Sequence, residues 1–165
     1  MSETVNLLQT FKFTVTLTRT SAGSTDRFIG DGAFSECSGL QLEADIREYL
    51  EGGRNDGVVR RVGRVKLAPL VLKRGMFAVK RGQGTVDSAL WDWLSDMVAG
   101  RLPIPRYDGM VIVKDRPEGR EMATWHFARG LPSKVTGPAL NAKTGEVAVE
   151  ELRISHEGLR LGGRP

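Results

Sequence analysis

The side chains most able to do chemistry in this chain are two histidines, His126 and His156, a set of carboxylates at Glu43, Asp45, Glu48, Glu51, Glu150 and Glu151, and the single thiol of Cys37. The histidines lie far apart, outside any His-x-x-x-His helical spacing and without a nucleophile motif nearby, so they read as structural or surface groups. The carboxylates have the right type for an acid and base pair or a hard-cation site. Alternation along a strand, however, already explains Glu43 and Asp45 as neighbours on one wet face, and no glycine pattern of a calcium loop flanks them. Gly82-Gln83-Gly84 precedes a helix, but the Lys-Ser/Thr that completes a phosphate loop is missing. One cysteine excludes both an internal disulfide and a cysteine metal cluster within a single chain. The expectation is a protein that is not an enzyme and holds no metal or cofactor.

The elements around these residues are mostly strands. Phe11, Phe13, Val15 and Leu17 alternate with Lys12, Thr14, Thr16 and Thr18, which predicts a half-buried strand, and residues 19–32 follow as a loop. Leu42, Ala44 and Ile46 alternate with Glu43, Asp45 and Arg47 on the first of two long strands, one face core and the other wet. On the second, Arg64 to Lys73, the apolar parity changes around Pro69, which predicts a bulge or an edge there. Residues 75–84 read as a connector. Thr85–Ala99 is the helix, capped by Thr85 or Asp87, with Leu90, Trp91, Leu94 and Val98 at helical spacing and Gly100 as its stop. Asp108–Lys114 and Met122–Ala128 form a hairpin about Pro117-Glu118-Gly119, and Gly130–Pro138 is a kinked connection. A last strand runs from Glu146, with a parity change that predicts a bulge near Glu150-Glu151.

At 165 residues the chain fits one domain, 1–165, with 1–10 and 160–165 flexible. Its 40% hydrophobic and 27% charged composition is that of a globular protein. The net charge of +4 is scattered in pairs, Arg60-Arg61, Lys73-Arg74 and Lys80-Arg81, as on a solvated surface and unlike a nucleic-acid stripe. No apolar stretch approaches the ~20 residues that span a bilayer, so no membrane anchor is expected. The amino terminus lacks a basic start followed by an apolar run. The expected site of synthesis and folding is the cytoplasm, with any release by lysis as part of a particle.

An ordered set of short strings now becomes informative: Glu36-Cys37-Ser38-Gly39-Leu40, Tyr49 to Asp56, Leu72-Lys73-Arg74-Gly75, Leu90-Trp91-Asp92-Trp93-Leu94, Trp125-His126-Phe127, and Val147 to Leu152 followed by Ser155 to Leu159. In this order they resemble the tail tube proteins of contractile-tailed phages and of bacterial extracellular contractile injection systems, over roughly Phe11 to Leu159. One departure is Val62 before Gly63, where the family often carries proline. The resemblance implies a mainly β fold, an antiparallel sandwich or barrel with one flanking helix. Six copies would close into a ring with an inner β-barrel, and rings would stack into a hollow conduit.

Implied partners are the chain itself, a contractile sheath protein, baseplate and terminator proteins, and a protein or DNA cargo in the lumen. Lumen-facing candidates are Glu43, Asp45, Arg47, Lys66, Glu150 and Arg153, with Arg64 as an alternative to Lys66. The loop Glu51, Gly52, Gly53, Arg54, Asn55, Asp56, Gly57 is the candidate contact to a neighbouring subunit or ring, because a charged, glycine-rich arm reaches outward. Two other readings stand beside the tube subunit: an initiator ring at the baseplate, and a monomeric β-sandwich binding module.

Overall fold

Alternating β-branched and apolar residues lead this chain to form strands almost throughout. The computed structural model describes residues 12–20, 27–28, 34–50, 52–53, 57–76, 87–115, 119–143 and 145–162. In chain order the elements are β1 (Phe13–Arg19), β2 (Arg27–Phe28), β3 (Phe34–Ser38), β4 (Leu42–Tyr49), β5 (Val59–Leu67), β6 (Leu70–Gly75), α1 (Ala89–Val98), β7 (Tyr107–Lys114), β8 (Glu121–Thr136), β9 (Val149–Ser155) and β10 (Gly158–Leu161). All pairings are antiparallel, in the order β2-β1-β7-β8-β9-β6-β3, with β10 also on β8 and β4-β5 as a separate pair. No helix among the described residues is long and apolar enough to cross a membrane.

The sixteen-residue β8 holds the two layers together. Its first part pairs with β7 and β10, and its second part, from Leu131, pairs with β9. Strands β9 and β10 therefore run along β8 as one broken ribbon that turns a corner at His156-Glu157. Opposite that corner Arg129 takes φ +53, and its carboxylate neighbours hold it there: its amide donates to Asp108 Oδ1 at 2.7 Å and its Nε to Glu157 Oε2 at 2.7 Å. The bend lets Val15, Leu17, Val111, Phe127 and Leu159 of one layer meet Leu70, Leu72, Leu152 and Ile154 of the other in a single core. Gly109 makes room for that core: a Cβ there would lie 2.2 Å from the Phe127 ring.

The helix closes one end. Asp87 Oδ1 accepts from the Ala89 amide at 3.1 Å, and Ser88 is the N-cap residue. At the other end Gly100, at φ +69, donates to Met97 O while Arg101 donates to Asp96 O, the paired bonds of a Schellman stop. Leu90 and Trp93 are the buried face, and the Trp93 Nε1–H donates to Pro105 O at 2.9 Å while its ring meets Tyr107 edge-on.

Several expectations need correction. Residues 34–49 form two strands, broken at Gly39–Gln41. Trp91 and Val98 are exposed, so the helix buries a face turned toward Trp93. Its described start is Ala89; Thr85 lies outside the described residues, as do Phe11, most of the 75–84 connector and Pro117-Glu118. Within the expected 19–32 loop, Arg27–Phe28 pairs with β1. Gly130–Pro138 is strand up to Thr136, and Arg160 and Leu161, expected to be flexible, belong to β10.

The expected bulge at Glu150-Glu151 is absent, because β6 and β9 pair in unbroken register from Leu70↔Ile154 to Gly75↔Val149. Glu150 instead occupies a core position in phase with Leu152 and Ile154. Its carboxylate accepts from Arg74 Nε at 2.6 Å and from Trp91 Nε1 at 2.9 Å, and Arg74 Nη1 reaches Asp87 Oδ2 at 3.1 Å. One network thus ties two strands to the helix. Glu150→Gln would leave the buried Arg74 cation with only the partly exposed Asp87 as counter-charge, a loss of up to about 3 kcal/mol. Urea unfolding should show that loss, and pairing Glu150→Leu with Arg74→Met should recover most of it.

Candidate functional site

Strands β4 and β5 leave the body as a hairpin whose two faces are both left uncovered by the described residues. Cross-strand partners Leu42↔Leu67, Ala44↔Val65 and Ile46↔Val62 share one face. Val62 and Val65 are three apart, a spacing that would ordinarily put them on opposite faces. Two residues of β5, Gly63 and Arg64, stand opposite Asp45 in a bulge, and this restores both valines to the apolar side. A side chain at position 63 would crowd Asp45 O at 2.8 Å, so Gly63 is what fits. The apolar face stays bare: Ile46 is 56% and Val62 75% exposed. The expectation that Leu42, Ala44 and Ile46 face the core of their own chain is corrected here, since the hairpin projects past that core.

The opposite face gathers charge. Lys66 Nζ lies 2.8 Å from Asp45 Oδ1 and 4.0 Å from Glu43 Oε1, and Arg61 lies over the Tyr49 ring at 4.9 Å. Nearer the tip, on the apolar side, Arg60 pairs with Glu48 at 3.1 Å. Exposed pairs of this kind contribute at most about 1 kcal/mol each, so they set register and solubility more than stability.

The root of the hairpin is tightly built. Gly39, at φ +84, lets the chain pass where a Cβ would come within 2.2 Å of Pro69 O. On the partner chain segment, Ala68 and Pro69 separate β5 from β6 and carry the parity from Leu67 to Leu70, as the change of phase at Pro69 predicts. Ala68 O accepts from His156 Nε2 at 3.0 Å, so the corner of the β9–β10 ribbon is tied to the hairpin's base. Burial holds the pKa of His156 below the ordinary imidazole value. Nearby, burial pushes the Cys37 thiol up to about 11, so it stays protonated and unreactive, a small residue packed on the core.

A second surface is the outward face of the β3-β6-β9-β8 layer. Glu36, Lys73 and Glu151 form one cross-strand row, and Val71, Arg153 and Lys134 the next. Lys73 Nζ lies 2.9 Å from Glu36, and this bond raises the Lys73 pKa; Arg153 Nε donates to Glu151 at 2.9 Å, which lowers that of Glu151. Both edges of this layer are open among the described residues: β3 ends the strand order, and β8 beyond Gly130 has a partner only on its β9 side.

Of the lumen candidates, the structure brings Glu43, Asp45, Arg47 and Lys66 to one face of the hairpin and puts Arg153 on the outward face of the layer. Glu150 is 1% exposed and paired with Arg74, so it lines no channel. Gly52, Gly53 and Gly57 are exposed at the hairpin tip, whereas Glu51, Arg54, Asn55 and Asp56 lie outside the described residues. Glu36, Lys73, Lys134 and Glu151 were not expected on this surface. Alternation in Leu70–Lys73 would have found Lys73 once Pro69 was placed between strands; Lys134 was hidden inside a segment read as a connection.

A family model described as T4-like virus tail tube protein gp19 matches residues 9–160. Among solved structures, the chain is similar to one in the extended sheath-tube complex of the PVC extracellular contractile injection system, at 18% identity over 96% of this chain and 93% of the other, TM-score 0.73. It is similar to a chain of the PVC sheath/tube terminator, at 18% identity over 98% and 100%, TM-score 0.76, and to a chain of the anti-feeding prophage baseplate, at 21% identity over 99% and 98%, TM-score 0.72. At these identities the likeness is one of fold. No curated protein matches.

The buried His156 makes stability depend on pH in a definite direction. Its folded-state pKa lies below the unfolded value near 6.5, so below that pH the unfolded chain binds more protons than the native one. Stability contributed by neutral His156 is present above pH 6.5, falls as the pH drops through that value, and levels off below the folded pKa. Urea midpoints at pH 7.5 and pH 5.5 should differ in that sense, and His156→Gln should shrink the difference; an unchanged difference would mean that other groups carry it.

Proposed function

The chain belongs to the T4-like virus tail tube protein family, and on that basis we propose that six copies close edge to edge into a ring and that rings stack into the rigid inner tube of a contractile particle. The observation that carries this reading is the pairing of two open sheet edges with a projecting hairpin whose apolar face has no cover among the described residues. Open edges and bare apolar faces invite association, and ring closure satisfies both without leaving an end.

In such a ring the edge of β3 pairs with the free edge of β8 in the next subunit, and the inner wall becomes a continuous barrel. The hairpin lays Leu42, Ile46, Val62 and Val65 on a neighbouring copy. Leu42, Ala44 and Ile46 share the apolar face with Val62 and Val65, so alternation gives Glu43, Asp45 and Arg47 to the opposite, polar face. Together with Lys66 they are the proposed channel-facing residues of the hairpin. The tip loop, Glu51–Gly57, is assigned to contact between rings. The sheath, baseplate and terminator proteins of the same particle are its proposed partners, and the particle, built in the cytoplasm, is the proposed route out of the cell.

Ile46→Asp with Val62→Asp tests the arrangement. Both residues are exposed in the single chain, so the folded monomer should keep its urea stability within about 0.5 kcal/mol. Light scattering and negative-stain images should show rings and tubes for the native protein and monomers for the variant. Tubes of normal length from the variant would remove the hairpin from the assembly, and a native protein that remains monomeric at high concentration would sink the tube reading in favour of a monomeric binding module.

A further inference from the structure

The outward face of the β3-β6-β9-β8 layer, placed by the ring reading above, also indicates what the channel carries. Only one side of this layer can face inward when its edges close. Its other side holds Leu70, Leu72, Leu152 and Ile154 against the second layer, and that whole second layer must lie outside the barrel. This layer's share of the lining is therefore the row Glu36–Lys73–Glu151 and, beside it, Arg153 and Lys134, with Thr136, to which the hairpin adds the charge-balanced set Glu43, Asp45, Arg47 and Lys66.

Three features of that lining bear on cargo. Its charges alternate in sign across the row Glu36–Lys73–Glu151, whereas the cations Arg153 and Lys134 stand directly opposite each other in the next row; Glu36–Lys73 and Glu151–Arg153 are closed pairs. Lys134 is left as a surplus cation, three positive groups against two carboxylates among the described residues of this face, repeated by every subunit. The layer's face presents no aromatic ring among the described residues, and Tyr49, the ring on the hairpin's polar side, lies under Arg61; base stacking on open aromatic side chains is what holds single-stranded nucleic acid in a groove.

We infer that the wall takes a polypeptide of mixed charge with an acidic excess, held weakly through Lys134 and the paired rows, and that nucleic acid is not its cargo. An unbroken line of phosphates would meet Glu36 or Glu151 beside each cation, whereas a polypeptide can match both signs. The apolar contribution on this face is Val71, Leu131 and Val149, too little to trap an unfolded chain, so such a passenger stays free to slide.

The test uses assembled tubes and two probes of similar length: a fluorescein-labelled glutamate–lysine copolymer with excess glutamate, and a labelled single-stranded oligonucleotide. Native tubes should sediment with the copolymer, shield it from protease and release it as salt rises, and should retain far less oligonucleotide. Lys134→Gln should weaken copolymer retention, and Lys134→Glu, which turns the surplus negative in every subunit, should reduce it by about tenfold or more with tube morphology unchanged. Intact variant tubes that retain the copolymer as before would overturn the inference while leaving the tube standing. Equal retention of the oligonucleotide, lost in the same variants, would overturn it in favour of nucleic acid. Labelling of Lys134→Cys in preassembled tubes by a reagent too bulky to enter them would place this face outside and overturn it as well. Native protein that forms no tubes would instead strike the assembly reading, and the wall would fall with it.

Discussion

The constraint on which the rest of this structure depends is that the apolar face of the β4–β5 hairpin packs on no core among the described residues. Leu42, Ala44, Ile46, Val62 and Val65 line one face of a hairpin that the described residues leave uncovered on both sides. Burying one such side chain is worth about 1.5–3 kcal/mol, so a face of five carries a considerable drive toward a partner. The body of the domain does not need it, because thirteen buried apolar residues among those described already form a core elsewhere. The sequence nevertheless preserves the face carefully, placing a bulge at Gly63-Arg64 so that both valines stay on it. That repaired phase is what the proposed ring uses when it lays the stripe on a neighbouring copy.

A projecting stripe is useful only if its direction is fixed, and the root supplies that. Two strands cross from body to hairpin at Gly39 and at Ala68-Pro69, and each crossing is constrained by the other: the close approach of Gly39 to Pro69 O admits no side chain, and His156 holds the neighbouring carbonyl. His156 also marks the corner where the β9–β10 ribbon bends with β8. The bend that makes two layers and the joint that aims the hairpin are thus a single locus, fastened on the outside by Arg106, Arg129 and Glu157. Displacement of either would be felt by both.

How much of this could be read from the sequence depended on whether the deciding contact was local. Alternation of period two gave β1, β4, β7 and the start of β8, and the phase change at Pro69 marked a true break between strands. Alternation also put Glu43, Asp45 and Arg47 on one face. It could not show that the other face lacks a core, because burial is a property of the whole fold. Gly130 and Pro132 looked like breakers, yet Pro132 sits at a register shift, an irregularity of the ladder that accommodates a residue without an amide donor. Glu150 was misread for a related reason. A carboxylate in the middle of an apolar phase looks like a bulge until its counter-ion is known, and that counter-ion, Arg74, lies 76 residues away.

That misreading points to what the buried pair does. Replacing Arg74 and Glu150 with apolar residues of similar volume would preserve the packing, since desolvation largely offsets the attraction of a buried ion pair. What apolar residues cannot supply is direction. Glu150 divides its two oxygens between Arg74 and the indole of Trp91, and Arg74 reaches on to Asp87 at the start of the helix. Hydrogen bonds from a guanidinium have fixed angles, so this network sets the rotation and height of the helix against the ends of β6 and β9. Those two strands sit in the middle of the layer whose free edges are proposed to meet neighbouring copies. A helix held in one orientation keeps those strands in one plane, and six subunits can close a ring only if each presents its two edges at the same angle.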